Sequence, residues 1–235
     1  MLFRAIINAG HGGSDVGATA INGEYEKDIN LEVVKYFKEL AKPYEGKIEF
    51  IYTRLDDRYM SLGDRVQFAN AKQGNIYVSV HHNASGVGAT GSETIHSIHG
   101  GKGQELAELI MDEFNKLGQN KRRVFSKESN VDSNRNYFYE IRHSAMPATI
   151  TEFAFLDSKD FKDIDEPRER KAEAQAILNG VLRYFGIDQV EDWKIRILDE
   201  CYRMGMFKDY DYWKERLDDP IPAWAMMAMI KNMHV

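Results

Sequence analysis

Phe3-Arg4-Ala5-Ile6-Ile7-Asn8 runs directly into Ala9-Gly10-His11-Gly12-Gly13. The first six residues read as a short buried strand. A strand that stops on Gly-His-Gly-Gly presents an imidazole at the carboxyl end of a sheet, where open α/β sheets keep their ligands. Glycine has no Cβ, so backbone there can approach a metal or substrate closely. Two further segments echo the first. Glu24-Tyr25-Glu26-Lys27-Asp28-Ile29-Asn30-Leu31 follows just downstream, and Val78-Ser79-Val80-His81-His82-Asn83 ends another strand-like run. Two histidines and a carboxylate from three separate segments suit a three-ligand zinc site with one open position, the catalytic rather than the structural arrangement.

Outward from these segments, strand-like and helix-like runs alternate. Ile29 to Leu40 places Ile29, Val33, Tyr36, Phe37 and Leu40 at helical spacing. Ile48 to Thr53 reads as a strand, and Ser61-Leu62-Gly63-Asp64 as a capping box that opens a helix. Ile76 to His81 is rich in β-branched residues and suits a strand covered on both faces. Gly91 to Ile98 reads as a strand, Gln104 to Leu117 as a helix, Ala148 to Phe153 as a late strand, and Arg168 to Phe185 as a closing helix. The polar stretch from Gly118 to Asn136 shows no period and reads as a loop. The alternation predicts a three-layer α/β domain, a central, mostly parallel (mixed) sheet flanked by helices, over residues 1–186.

After Gly186 the composition shifts. Residues 187–235 hold all three tryptophans, Trp193, Trp213 and Trp224, and six of the methionines. This stretch reads as a small C-terminal helical module. Its aromatic residues form a miniature core or serve to target a surface, and Met226, Met227, Met229 and Met233 suit an adaptable contact, a homodimer contact included.

The chain has 235 residues and a net charge of −6, with acidic and basic residues interleaved. That balance argues against nucleic acid as a partner, since phosphate binding needs a basic face. No run approaches the roughly 20 apolar residues of a spanning helix, so membrane insertion is not expected. No signal peptide is visible, and the expected place of synthesis is the cytoplasm. One cysteine, Cys201, excludes an internal disulfide and any zinc site built from several thiolates. It reads as a small buried residue of a helix. A metal here must be held by His, Asp or Glu.

Residue types alone leave alternatives open. Glu24 competes with Glu26, and His81 competes with His82, because neighbours on a strand point to opposite faces and both faces are covered. Arg54 and Arg65 read as ion-pairing residues that tie the sheet to its neighbours. His96, His99, His143 and His234 read as surface residues.

Five ordered segments carry a resemblance: Gly10-His11-Gly12-Gly13; Glu26-Lys27-Asp28-Ile29-Asn30-Leu31; Thr53-Arg54 with Ser61-Leu62, Arg65 and Ala69-Asn70; Ser79-Val80-His81 with Asn83-Ala84; and Arg142 through Met146-Pro147-Ala148 to Glu152. Residues 3 to about 186 resemble the zinc-dependent N-acetylmuramoyl-L-alanine amidases of the type called Amidase_3, found in bacterial wall hydrolases and phage endolysins. The resemblance implies that His11, Glu26 and His81 bind one Zn²⁺ and that Glu152 is the catalytic carboxylate. It implies peptidoglycan as the substrate, cut between N-acetylmuramic acid and L-alanine, and an endolysin or autolysin that reaches the wall after release from the cell. Arg142, His82 and Asn83 are then candidates to face the cleft and contact substrate, with simple packing as the alternative for His82. A zinc exopeptidase acting on wall peptides, or a wall-binding protein with a dead site, is the alternative. The chain departs from the family at Asn8-Ala9, where Asp-Pro is usual, so a carboxylate that would orient His11 is missing there. It departs also at His82, where a small residue is usual, and at Ala154, where glycine is common.

Overall fold

The computed structural model describes residues 2–188, 198, 201–214 and 216. Their contacts divide the chain into two compact units, Met1–Asp188 and Gln189–Val235. The first unit holds six strands: β1 (Phe3–Ala9), β2 (Ile48–Tyr52), β3 (Ile76–Asn83), β4 (Ser92–Ile95), β5 (Lys121–Phe125) and β6 (Ala148–Phe155). They form one sheet in the order β2-β1-β3-β6-β4-β5. All neighbouring pairs are parallel except β4 and β6, so the sheet is mixed.

Two helical layers cover it. α1 (Glu26–Ala41), α3 (Lys102–Lys116) and α5 (Pro167–Tyr184) pack on one face, where Ile29, Val33, Phe37, Leu106, Ile110, Phe114, Ile177 and Val181 join the main apolar core. α2 (Leu62–Ala71) and the short α4 (Tyr139–His143) cover the other face through Ala69, Ile141 and Met146. The central strands explain this burial. β3 reads Ile-Tyr-Val-Ser-Val-His-His-Asn and is buried along nearly its whole length, as a parallel strand covered on both faces must be. α2 begins where expected: the Ser61 hydroxyl accepts from the Asp64 N–H, and the Asp64 carboxylate accepts from the Ser61 N–H, a complete capping box.

Two elements depart from the sequence reading: the short helix α4 was not expected, and a stretch read as loop is a strand. Lys121-Arg122-Arg123-Val124-Phe125, read as part of a loop, is the edge strand β5. An edge strand faces water and carries charges, so it lacks the apolar pattern that marks the inner strands.

Parallel pairing puts the carboxyl ends of β1, β3 and β6 at one edge, and α1 starts there. His81 lies opposite Glu152 in the β3/β6 register, and Glu93 of β4 lies opposite Glu152 on its other side. Beyond His81 the register slips: His81 pairs with Glu152 but Asn83 with Phe155, which places one extra residue on β6. Such bulges re-aim side chains beside functional sites.

In the second unit, α6 spans Tyr210–Lys214, and the Phe207 ring lies 5.9 Å from both Tyr202 and Trp213. Cys201 is helical and partly exposed rather than buried. Trp193, Trp224, His234 and the methionines from 226 onward lie outside the described residues, and with them the targeting and dimer expectations.

Candidate metal centre

His11 leaves β1 with a left-handed backbone, φ 58°. Non-glycine residues adopt that conformation at a cost of order 1–3 kcal/mol, which persists only where the surroundings impose it. Two buried guanidiniums do so. Arg54 donates to Ala9 O (2.9 Å), Gly10 O (2.7 Å) and Lys27 O (2.8 Å). Arg65 donates to Ala9 O (2.7 Å) and His11 O (2.5 Å). The sequence reading gave both arginines ion pairs; instead they clamp backbone carbonyls. Burial, and then the neighbouring Arg65 charge, pull the Arg54 guanidinium down to about 10.

The loop thus held brings three side chains together. The ligand atoms of His11, Glu26 and His81 all lie within 4.8 Å of one another. Glu26 Oε2 is 3.2 Å from His11 Nε2, and Glu26 Oε1 is 3.0 Å from His81 Nδ1. Ligands about 2.0–2.2 Å from a tetrahedral zinc stand roughly 3.3–3.6 Å apart, so the two glutamate–histidine separations come close to that spacing, and the N/N/O donor set suits zinc. Space is reserved for them as well. A Cβ at Gly10 would stand 2.2 Å from His81 Cε1, and one at Gly17 (φ +66°) would stand 2.5 Å from Glu26 Oε2 and 2.7 Å from His11 Cδ2.

Each ligand is oriented from behind. His11 Nδ1 meets Asp15 Oδ1 at 2.9 Å, so the carboxylate absent at position 8 is supplied from position 15. Asn8 serves elsewhere: buried, it donates to Ser79 Oγ and Glu140 Oε1 and accepts from Thr53 and Arg65. Glu26 accepts from the backbone N–H of Ala18 (2.9 Å) and His82 (3.2 Å) and from Asn30 Nδ2 (3.2 Å). Burial would raise the Glu26 carboxyl, but its bonds to His11 and His81 hold it well below the usual carboxylate range. For His11, burial acts downward and is outweighed by Glu26 and Asp15, so its pKa is raised.

Glu152 stands beside His81 across the sheet. Its Oε2 is buried without a hydrogen-bond partner. Burial first, then the charges of Glu26, Glu93, Glu140 and Glu173, push its carboxyl well above the ordinary value. Glu93 is itself ion-paired: its Oε1 accepts from Arg122 Nε (2.7 Å) and Arg123 Nε (2.8 Å), and its Oε2 from Asn83 Nδ2 (3.1 Å). Asn83 therefore reaches the edge of the site through Glu93.

Two candidate cleft residues lie elsewhere. The His82 ring is sealed from solvent on the opposite side of β3, where α5 covers it. Arg142 lines a cavity of about 680 Å³ with Lys102, Arg135, Pro147 and Ala148. That cavity sits at the amino end of β6, roughly 13 Å along the strand from Glu152. There Arg142 donates to the carbonyls of Asn136 (2.7 Å) and Tyr137 (3.0 Å). His96, read as a surface residue, is buried, and its Nδ1 meets Ser97 O at 2.8 Å; His99 and His143 are exposed. Asp15, Gly17, Asn30 and the carbonyl-clamping role of the two arginines were missed. Of these only Asp15 leaves a trace in the sequence, a carboxylate one short turn after the histidine.

Comparison with known proteins places the chain in a family and matches its fold. The family described as Amidase_3: N-acetylmuramoyl-L-alanine amidase matches residues 5–183. YqiI of Bacillus subtilis is 34% identical over 182 residues, which is 76% of this chain and 83% of that protein. The endolysin of Bacillus phage SPP1 is 37% identical over 162 residues, and a sporulation-specific N-acetylmuramoyl-L-alanine amidase of Bacillus subtilis is 33% identical over 159. The match spans only 55% and 58% of those two proteins. Among solved structures, the catalytic domain of CwlV, an N-acetylmuramoyl-L-alanine amidase of Bacillus (Paenibacillus) polymyxa var. colistinus, superposes with a TM-score of 0.70 at 28% identity, covering 80% of this chain and all of that one. An N-acetylmuramoyl-L-alanine amidase of Clostridium difficile 630 gives 0.70 at 30% identity, covering 80% and 99%.

Proposed function

The chain belongs to the Amidase_3 family of N-acetylmuramoyl-L-alanine amidases, hydrolases of peptidoglycan, and on that premise we propose that His11, Glu26 and His81 hold one zinc ion and that Glu152 moves the protons of the reaction. The convergence of the three ligand atoms within 4.8 Å, from three separate segments, is the observation that carries this reading.

The scissile bond joins the lactyl carbonyl of N-acetylmuramic acid to the nitrogen of L-alanine. Zinc, when bound, supplies a Lewis acid for that carbonyl and lowers the pKa of water toward about 7. The protein supplies the rest. Asp15 holds the His11 ring by Nδ1 and so leaves Nε2 toward Glu26 and the metal position. Glu152 takes the proton of the attacking water and passes it to the alanine nitrogen as the C–N bond breaks. Its carboxyl, raised by burial and by the carboxylates around it, suits the donor half of that task, since a weakened acid takes up its proton more readily before giving it to an amine. A divalent cation among the ligands opposes the four surrounding carboxylates and favours the ionised form, which suits the acceptor half. No described helix is long and apolar enough to cross a membrane. We assign the site of action to the wall, as for the endolysin it resembles.

Digestion of purified sacculi, with and without a chelator, tests the proposal. Mass analysis is expected to show stems with free L-alanine amino termini, lost with chelator and regained with added zinc. New reducing sugar ends, or release unaffected by the chelator, would overturn it.

A further inference from the structure

His82, on the far side of β3 from the metal ligands, is tied to them through Asn30. Asn30 Nδ2 donates to Glu26 Oε1 (3.2 Å) and Gly10 O (3.3 Å). Its amide therefore points one way: turned over, its oxygen would face two acceptors. Asn30 Oδ1 then faces His82 Nδ1 at 2.8 Å, and that nitrogen must carry a hydrogen. The other ring nitrogen, Nε2, lies 3.0 Å from Glu173 Oε2 on α5, and both side chains are fully buried. The chain of contacts runs from α5 through β3 to α1 and ends on the carboxylate oxygen that faces His81.

This arrangement is an expensive way to fill space. Glu173 Oε1 is buried with no hydrogen-bond partner, so among the described residues the carboxyl is held only by the His82 ring. A buried polar pair contributes little net stability compared with apolar residues of the same volume. What it supplies is direction. The fixed ring holds Asn30 in one orientation, and Asn30 holds Glu26 Oε1. The His82 backbone N–H meets the same oxygen at 3.2 Å, so one residue steers this ligand atom from two sides.

We propose that His82, anchored by Glu173, is a positioning residue that sets the Glu26 carboxylate for metal binding through Asn30. The inference rests on the metal reading above. The readout is zinc affinity, measured by competition with a chromophoric chelator, together with the visible spectrum of the cobalt-substituted protein. His82→Phe keeps an aromatic ring but removes both hydrogen bonds; zinc affinity is expected to fall about 10–100-fold and the cobalt bands to shift. Glu173→Leu removes the anchor from a helix that contributes no ligand; affinity is expected to fall several-fold, whereas Glu173→Gln, which keeps a partner for Nε2, restores it. A merely structural role would lower the melting temperature of these variants and leave the affinity of the folded protein unchanged. Wild-type affinity in folded His82→Phe and Glu173→Leu would overturn the proposal. If His82→Phe does not fold, equal affinity in Glu173→Leu and Glu173→Gln overturns it. A wild-type protein that binds no zinc removes the metal reading itself and this inference with it.

Discussion

Glu152 is a carboxyl surrounded by carboxyls, with one oxygen left unbonded inside the protein. Such a group is costly to keep, and structure alone does not call for it. Glu152→Gln preserves the shape and removes the ability to exchange a proton. Turnover on soluble wall fragments is expected to fall about 10²–10⁴-fold while one zinc per chain remains bound. Metal analysis beside the rate assay checks this, and a Gln variant with full turnover would remove Glu152 from the reaction. At this scale the grouping of His11, Glu26 and His81 was legible through the motifs that carry the resemblance, whereas residue types alone left Glu24 against Glu26 and His81 against His82 open. The sequence was silent where the role depends on the third dimension. Nothing in the local sequence shows that Arg54 and Arg65 bond carbonyls rather than carboxylates, because the acceptors lie on a loop far away in the chain. Nor does anything local show that His82 faces a glutamate on the last helix of the domain.

Among the elements, the α3–α5 contact carries a pH-sensitive tie. Glu113 on α3 accepts from Lys116 (2.6 Å) on its own helix and from Arg183 (2.7 Å) and Asn179 (3.3 Å) on α5. Burial would raise its carboxyl, and these partners together hold it below its ordinary value of 4.5. A carboxyl lowered in the folded state contributes stability that is complete above the unfolded-state value and disappears as pH falls through the folded one. Lys116 stands largely in solvent and its share is screened. Wild type is therefore expected to exceed Glu113→Gln by about 1 kcal/mol at pH 7, and the gap is expected to narrow below the ordinary value of 4.5 and to close as pH falls through the lowered folded-state value. Urea melts across that range measure it; a gap that does not narrow with acid would show that Glu113 acts by packing alone. The elements that periodicity revealed were the amphipathic helices and the inner strands, whose burial is written into their residue types. β5 escaped because its first three residues are all basic and face water.

For the molecule as a whole, the two arginine clamps mean that the ligand loop does not depend on its ion for its shape. Ala9, Gly10 and His11 are pinned by protein donors, His11 by Asp15, and Glu26 by Ala18, His82 and Asn30. Many small zinc domains are unfolded when stripped; this one is expected to keep its helical circular dichroism at 25 °C after dialysis against a chelator. Zinc at a hundred times its dissociation constant then adds about 2.7 kcal/mol, or roughly 5–11 °C in melting temperature for a domain of this size. Loss of the helical signal on stripping would contradict this. If the stripped protein keeps its helices, folding would come before metal capture, and an ion would enter a shape that the protein's own donors had already made.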